Sequence, residues 1–279
     1  MTAQPTLLII GGAEDRVGRA TLLRRFVTLA GGRRSRIAIV PTASSFQQEV
    51  SDAYREAFGR LGAKDLSVVN PGSRADAHDP ALIAEFDTAT GIFMSGGSQL
   101  RLSQFFPGTP LGAALMRAHA RGAVIGGTSA GASIMSQFMI SMGSEGTTPR
   151  QRTSQLTAGL GLVEGVIIDQ HFGQRSRYGR LMSVVASSPH LLGIGIDENT
   201  AIEVTGNEFT VHGAGVVHVI DARMAVTDFP DARVGAPMLV SGAVVHSLPA
   251  GSTFDLEAVR LSGFVEKHPD VVITAGSRG

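Results

Sequence analysis

Arg36-Ile37-Ala38-Ile39-Val40 is followed, ten residues on, by a stretch in which Val50, Ala53, Tyr54, Ala57, Phe58 and Leu61 recur at helical spacing. The first is a short apolar run bounded by turn residues, which marks a buried strand. The second carries one apolar stripe, which marks an amphipathic helix. The pair repeats along the first half of the chain. Further apolar runs lie at 7–10, 66–69, 91–94 and 123–125, each bounded by Gly, Pro, Ser or Asn. Residues 20–29 place Leu22, Leu23, Phe26 and Leu29 on one helical face. Strands that are apolar throughout must be covered on both faces, so the alternation predicts an α/β fold: a doubly wound, mostly parallel sheet with helices on both faces.

The second half reads differently. Apolar runs at 194–196, 201–204, 209–211 and 216–220 are separated by Asn199, Gly206-Asn207 and Gly213. Thr205-Gly206-Asn207-Glu208 has the composition of a hairpin turn. An antiparallel extension of the same sheet is expected here, with more strand at 238–248. No Pro- or Ser-rich linker and no internal repeat divides the chain, so one domain over 1–279 is expected, with a frayed tail at 274–279.

Composition narrows the function. The 279 residues carry 24 Lys+Arg and 24 Asp+Glu, so recognition of an ion must be local rather than global. A neutral chain with 5% aromatic residues is poorly suited to nucleic acid. The absence of cysteine excludes disulfides, thiolate metal sites and a cysteine nucleophile. The histidines are scattered and none is paired with carboxylates at ligand spacing, so neither a metal nor a cofactor is expected. No stretch is apolar enough to span a membrane, and residues 1–10 lack a signal-peptide pattern. A soluble cytoplasmic protein is expected, unless a leader once preceded Met1.

Gly122-Ala123-Val124-Ile125-Gly126-Gly127-Thr128-Ser129-Ala130-Gly131-Ala132-Ser133 holds the richest chemical signal. Gly-x-Ser-x-Gly alone is weak, since roughly 0.4 chance matches are expected at this glycine and serine content. Its setting strengthens it. An apolar run precedes Ser129 and the small residues 130–137 lead towards a helical pattern, the strand–turn–helix setting of a nucleophile elbow. The helix N-terminus would then direct N–H groups and its positive end at an oxyanion. A glycine-rich turn with a capping serine is the competing reading.

A serine nucleophile needs a base, and the base an orienting acid. His78, His190 and His268 lie in polar loop sequence, His119 on a helix, and His212, His218 and His246 in strand-like runs. His171 differs: it follows the apolar run 166–168 in Asp169-Gln170-His171-Phe172, where an open α/β sheet presents its ligand-binding edge. The run at 194–196 likewise ends in Asp197-Glu198-Asn199, whose carboxylates can orient an imidazole or simply make a turn. Arg175, Arg177 and Arg180 follow His171 closely. They are either a solvated helix face or guanidinium forks for an anionic substrate. Gly96 or Gly97 could supply a second oxyanion N–H opposite Ala130, unless that loop is an ordinary strand-to-helix turn. The loop Gly11-Gly12-Ala13-Glu14-Asp15-Arg16 is not a dinucleotide fingerprint.

Taken together, Gly11-Gly12-Ala13-Glu14-Asp15, the Gly-Gly-x-Gln loop ending at Gln99, the Ser129 segment, Asp169-Gln170-His171-Phe172, the Arg175/Arg177/Arg180 cluster and the segment 195–201 resemble the cyanophycinases. These are serine exopeptidases related to aspartyl dipeptidase, or peptidase E. The matches run in order from residue 11 to about 220; beyond 225 none is found. The resemblance implies Ser129 as nucleophile, His171 as base and Glu198 as orienting acid, with Ala130 and Gly97 as oxyanion donors. It places Gln99, Asp169, Gln170, Arg175, Arg177 and Arg180 in the substrate pockets. Ser98 departs from the pattern, in which an acidic residue often precedes the Gln.

The substrate so implied is cyanophycin, a poly-aspartate whose β-carboxyls carry arginine through its α-amino group. Each branch ends in a carboxylate and a guanidinium, suited to Arg forks and to a carboxylate such as Asp169 respectively. The product would be the β-Asp-Arg dipeptide, and the resemblance implies a homodimer. Two alternatives stay open: an aspartyl dipeptidase, and a catalytically silent module that binds an anionic peptide.

Overall fold

A computed structural model of the chain describes residues 5–265, so the frayed tail expected at 274–279 and the loop position expected for His268 lie outside the described residues. The strands are β1 Thr6–Ile10, β2 Arg36–Val40, β3 Asp65–Val68, β4 Gly91–Met94, β5 Val124–Thr128, β6 Phe138–Gly143, β7 Ser154–Ala158, β8 Val166–Gln170 and β9 Leu192–Ile196. There follow β10 Thr200–Thr205, β11 Glu208–Gly213, β12 Val216–Asp221, β13 Val226–Thr227, β14 Val240–Ser241, β15 Val244–Pro249, β16 Thr253–Asp255 and β17 Arg260–Gly263. The α-helices are α1 Thr21–Leu29, α2 Gln47–Arg60, α3 Pro80–Thr88, α4 Gln99–Phe105, α5 Pro110–Ala120, α6 Ala130–Ser133 and α7 Tyr178–Ser187.

The main sheet has nine strands in the order β17-β16-β11-β10-β1-β5-β4-β2-β3. Strands β1, β5, β4, β2 and β3 are parallel, and β10, β11, β16 and β17 continue the sheet antiparallel beyond β1. Alternation along each strand divides the core. Leu8, Ile10, Ile37, Ile39 and Phe93 pack under Leu22 and Phe26 of α1 and Tyr54 and Phe58 of α2. Leu7, Ile9, Ala38, Val40, Ile92 and Met94 face Phe86 of α3 and Leu111 and Leu115 of α5. Helices therefore cover both faces, as the alternation predicts. Helices α3 and α5 begin where the sequence can start them: Asp79 and Thr109 accept the N–H of Ala81 and Gly112, and Pro occupies the first helical position of each.

The antiparallel extension forms, with Thr205 facing Glu208 across the expected hairpin turn. It does not lie wholly on the one sheet. Strands β8 and β9 pair in parallel in a second sheet of order β15-β12-β9-β8, and the chain crosses between the sheets through Asp197-Glu198-Asn199. The second sheet has its own helical cover: Ile167 of β8 and Ile220 of β12 form a third apolar cluster with Leu181 and Val185 of α7. No helix among the described residues is long and apolar enough to cross a membrane.

Candidate active site

Five strands from the two sheets end at one place. The chain leaves β1 at Gly11-Gly12, β4 at Ser95-Gly96-Gly97, β5 at Ser129, β8 at His171 and β9 at Asp197-Glu198. All are carboxyl ends, where parallel α/β sheets bind their ligands.

Ser129 sits at φ 53°, ψ −109°, a conformation that a side-chain-bearing residue adopts only under constraint. The constraint is visible on both sides: Ser129 N–H donates to Ile10 O at 3.0 Å, and Ser129 O accepts from Ala132 and Ser133 N–H at 3.0 Å. The helix that follows is a single short turn, α6, and the small residues 130–137 do not lead into a longer one. Its would-be helical carbonyls are taken by a neighbouring loop. Ile134 O accepts from Leu160 N–H, Ser136 O from Gly161 N–H, and Met135 O from Leu162 and Val163 N–H. So short a helix has little macrodipole, and the electrophilic character of this turn resides in individual amides. The Ala130 N–H, in the first turn of α6, has no intrahelical acceptor.

His171 closes the approach from the second sheet. Its Nε2 lies 3.0 Å from Ser129 Oγ, and its Nδ1 lies 2.6 Å from Glu198 Oε1. A carboxylate at Nδ1 requires the N–H there, which leaves Nε2 as the acceptor facing the serine hydroxyl. Gln170 Oε1 is a second acceptor 3.3 Å from Ser129 Oγ, but one hydroxyl proton serves one acceptor at a time and the His171 contact is shorter. Burial holds the imidazole below its ordinary pKa of 6.5; Glu198 opposes that shift, while Arg175 and Arg177 add to it. The base is therefore neutral at pH 7. Gly12 makes the fit possible: a Cβ there would stand 2.4 Å from His171 Cε1.

The three residues border or adjoin a cleft of about 650 Å³ whose wall includes Gly97, Gln99, Ser129, Gln170, His171, Arg175, Arg177 and Arg180. Most of the residues expected in the substrate pockets are therefore gathered there. Gln99 donates from Nε2 to Ile140 O at 2.8 Å, which ties α4 to β6. Arg177 Nη1 donates to Gln170 O at 2.7 Å and to Gln170 Oε1 at 2.9 Å, so its fork is already engaged in holding Gln170 against the serine. Arg180 is bidentate on Asp169, with Nε 2.6 Å from Oδ2 and Nη2 on Oδ1. Arg175 is exposed, and its guanidinium has no hydrogen-bond partner among the described residues.

Asp169 requires a correction. It was expected to face the substrate, but it is 1% exposed, lies off the cleft wall and is occupied by Arg180, with Arg177 Nη1 a further 3.6 Å away. The Asp169 carboxylate accepts the Gln170 N–H at 2.9 Å and is held by the Arg180 fork, so it is engaged inside the protein while the Gln170 side chain lines the cleft. The side chain that reaches the serine is Gln170.

Glu14 stands in the first loop motif quoted from the sequence but was given no role there. Its carboxylate borders the cleft, accepting from Tyr54 Oη at 2.5 Å and Thr128 Oγ1 at 2.5 Å. Its neighbour Asp15 has a different task, receiving the N–H groups of Val17, Gly18 and Ala20 to shape the loop. The available signal was position: an acidic pair directly after the first parallel strand, at the ligand-binding edge. Among the described residues no group of His, Cys, Asp and Glu is arranged to hold a metal ion.

An α/β sheet whose strand ends bring serine, imidazole and carboxylate into one hydrogen-bonded line has the architecture of a serine peptidase. The chain belongs to peptidase family S51, whose family model matches residues 7–212. It is 37% identical over 265 residues to a cyanophycinase from Geminocystis herdmanii, covering 94% of this chain and 97% of that one. Against a cyanophycinase from Trichormus variabilis it is 36% identical over 254 residues, covering 90% of this chain and 85% of that one. Among solved structures, a peptidase from an acI-B1 actinobacterium superposes with a TM-score of 0.65 at 22% identity, over 91% of this chain and 98% of that chain. That last likeness speaks to the fold.

Proposed function

We propose that this chain hydrolyses cyanophycin to β-Asp-Arg dipeptides through an acyl-enzyme on Ser129. The observation that carries the reading is the unbroken line from Ser129 Oγ to His171 Nε2 at 3.0 Å and from His171 Nδ1 to Glu198 at 2.6 Å, at the edge of a cleft carrying an unpaired guanidinium. Similarity to cyanophycinases over nine-tenths of the chain supports the choice of polymer.

In the first half-reaction His171 Nε2 takes the Ser129 proton as Oγ attacks the backbone carbonyl between two aspartate units. The Ala130 and Gly97 N–H groups receive the developing oxyanion, and Glu198 steadies the imidazolium. His171 then passes its proton to the departing amine. Water, deprotonated by the same nitrogen, releases the acyl group and restores the serine. Arg175 takes a branch carboxylate, while Gln99, Gln170 and the Arg177 and Arg180 side chains shape the wall against which the branch lies. Assembly into a homodimer belongs to the same proposal.

The test is mass spectrometry of soluble products after incubation with the insoluble polymer, beside Asp-Leu as a control. The intact chain is expected to release β-Asp-Arg and to leave Asp-Leu whole. Ser129→Ala, with an unchanged melting curve, is expected to release nothing above background. Release by that variant, or cleavage of Asp-Leu alone, refutes the assignment.

A further inference from the structure

The engagement of Asp169 leaves a question of charge. A zwitterionic branch needs a partner for its guanidinium as well as for its carboxylate, and the cleft wall is otherwise cationic: Arg16, Arg175, Arg177 and Arg180 all border it. Among the described residues, the one carboxylate on that wall is Glu14.

Glu14 is 7% exposed, and no lysine, arginine or histidine forms an ion pair with it among the described residues. Arg16, the nearby cation in sequence, lies instead over the Tyr54 ring, 5.6 Å from its centroid. Two hydroxyls, from Tyr54 and Thr128, fix the two oxygens. A carboxylate offers about four acceptor positions, so two hydroxyl donors leave capacity for a planar fork. A buried carboxylate without a counter-charge is costly, and a site that holds one rigidly at a cleft is prepared for a cation supplied from outside. Burial and the Glu14 charge drive the Tyr54 hydroxyl well above its ordinary pKa of 10, so it remains a donor at any working pH. Thr128 is the residue before Ser129, which sets this carboxylate beside the reacting centre.

We propose that Glu14 is a specificity residue, binding the guanidinium of an arginyl branch next to the scissile bond while Arg175 takes the branch carboxylate. The inference rests on the substrate reading above and assigns the part of it that Asp169 cannot perform.

The experiment compares two synthetic oligomers, one of β-Asp-Arg units and one in which citrulline replaces arginine. Citrulline keeps the length and planarity of the tip and removes its charge. The intact chain is expected to prefer arginine by roughly 10–100-fold in kcat/KM, the factor that a charged hydrogen-bonded contact supplies. Glu14→Gln is expected to lose that factor on the arginine oligomer and to change little on citrulline, so that the preference disappears. Equal losses on both oligomers would mean that Glu14 only braces Tyr54 and Thr128, and would overturn the proposal. Equal cleavage of both oligomers by the intact chain overturns it without any variant having to fold. Cleavage of neither sinks the substrate reading and this inference together, an outcome distinct from indifference to charge.

Discussion

Replacing Gly12 by alanine adds one methyl group at the most crowded point of the site. The added Cβ would lie 2.4 Å from His171 Cε1, 2.5 Å from Nε2 and 3.0 Å from Nδ1, where ordinary contact begins at 3.4 Å. Something must therefore move by about 1 Å, the difference between 3.4 and 2.4 Å. The backbone resists: Gly12 O accepts from Asn199 N–H at 2.8 Å, and Gly11 O accepts from His171 N–H at 2.7 Å. The ring is the softer partner. Displaced by that amount it loses its 3.0 Å contact with Ser129 Oγ, which passes beyond hydrogen-bond range. Since a positioned general base contributes about 10²–10⁴-fold, kcat is expected to fall by a factor in that range with KM little changed. The φ of +104° at Gly12 adds strain of about 1–3 kcal/mol to the folded state, so the variant should melt somewhat earlier and still fold. Turnover of a soluble β-Asp-Arg oligomer, with the melting curve beside it, measures both effects. In a Gly12→Ala/His171→Ala chain the methyl has no ring to strike, so the double variant should be no slower than His171→Ala alone. A Gly12→Ala chain that keeps its kcat within a few-fold, or additive losses in the double variant, would refute the steric argument.

Two further outcomes follow from charge. The base must be neutral to act, so kcat/KM should fall as pH drops through a value below 6.5 and stay level above it. Arg175→Gln removes a cation that disfavours the imidazolium and should move that acid limb up. Glu198→Gln removes the carboxylate that favours it and should move the limb down, with a lower plateau, and limbs that stay fixed in both variants would contradict the assignment. Arg180→Ala strands a buried Asp169 carboxylate; with Arg177 Nη1 still 3.6 Å away, the loss should be about 3 kcal/mol, the low end for a broken buried pair. Urea unfolding measures it, and Asp169→Ala added to Arg180→Ala should restore part of the loss, whereas an unchanged midpoint in the single variant would show that the pair carries no stability.

The sequence made the sheet legible because strand and helix periods differ, and the run 91–94 coincides with a strand. Ser129 and His171 stood out at strand ends, Glu198 was picked out of Asp197-Glu198-Asn199 only by the resemblance to the cyanophycinases, and the structure brings the three side chains into line. The helix expected after Ser129 was cut short by hydrogen bonds from Leu160, Gly161 and Leu162, partners more than twenty residues away that no local pattern reports. The division into two sheets was equally hidden, because the residues at 194–196 and 201–204 look alike as strands, share one apolar cluster, and differ only in the distant strands they pair with. The engagement of Asp169 was hidden too, because its partner Arg180 lies 11 residues on, in α7, and reads from sequence as a free guanidinium fork.

Glu14 was hidden for a further reason. Its partners lie 40 and 114 residues along the chain, and one of them, Tyr54, reads from sequence as nothing more than a core aromatic on the apolar face of α2. The hydroxyl is what alters its role: a phenylalanine at the same position would fill the aromatic cluster and leave the carboxylate loose. Electrostatics then sort the cleft into spent and available charge. Arg180 is neutralised by Asp169, and Arg177 is committed to Gln170 and, at 3.4 Å, to Glu145. What remains for the charges of a ligand is the guanidinium of Arg175 and the carboxylate of Glu14, with the Arg16 guanidinium stacked over the Tyr54 ring, 5.6 Å from its centroid. A ligand with a single charge satisfies one of them and leaves the other exposed to the cost of desolvation when the cleft is filled. A branch bearing both charges satisfies the pair, which is how a cleft rich in arginine can still select a substrate whose own tip is cationic.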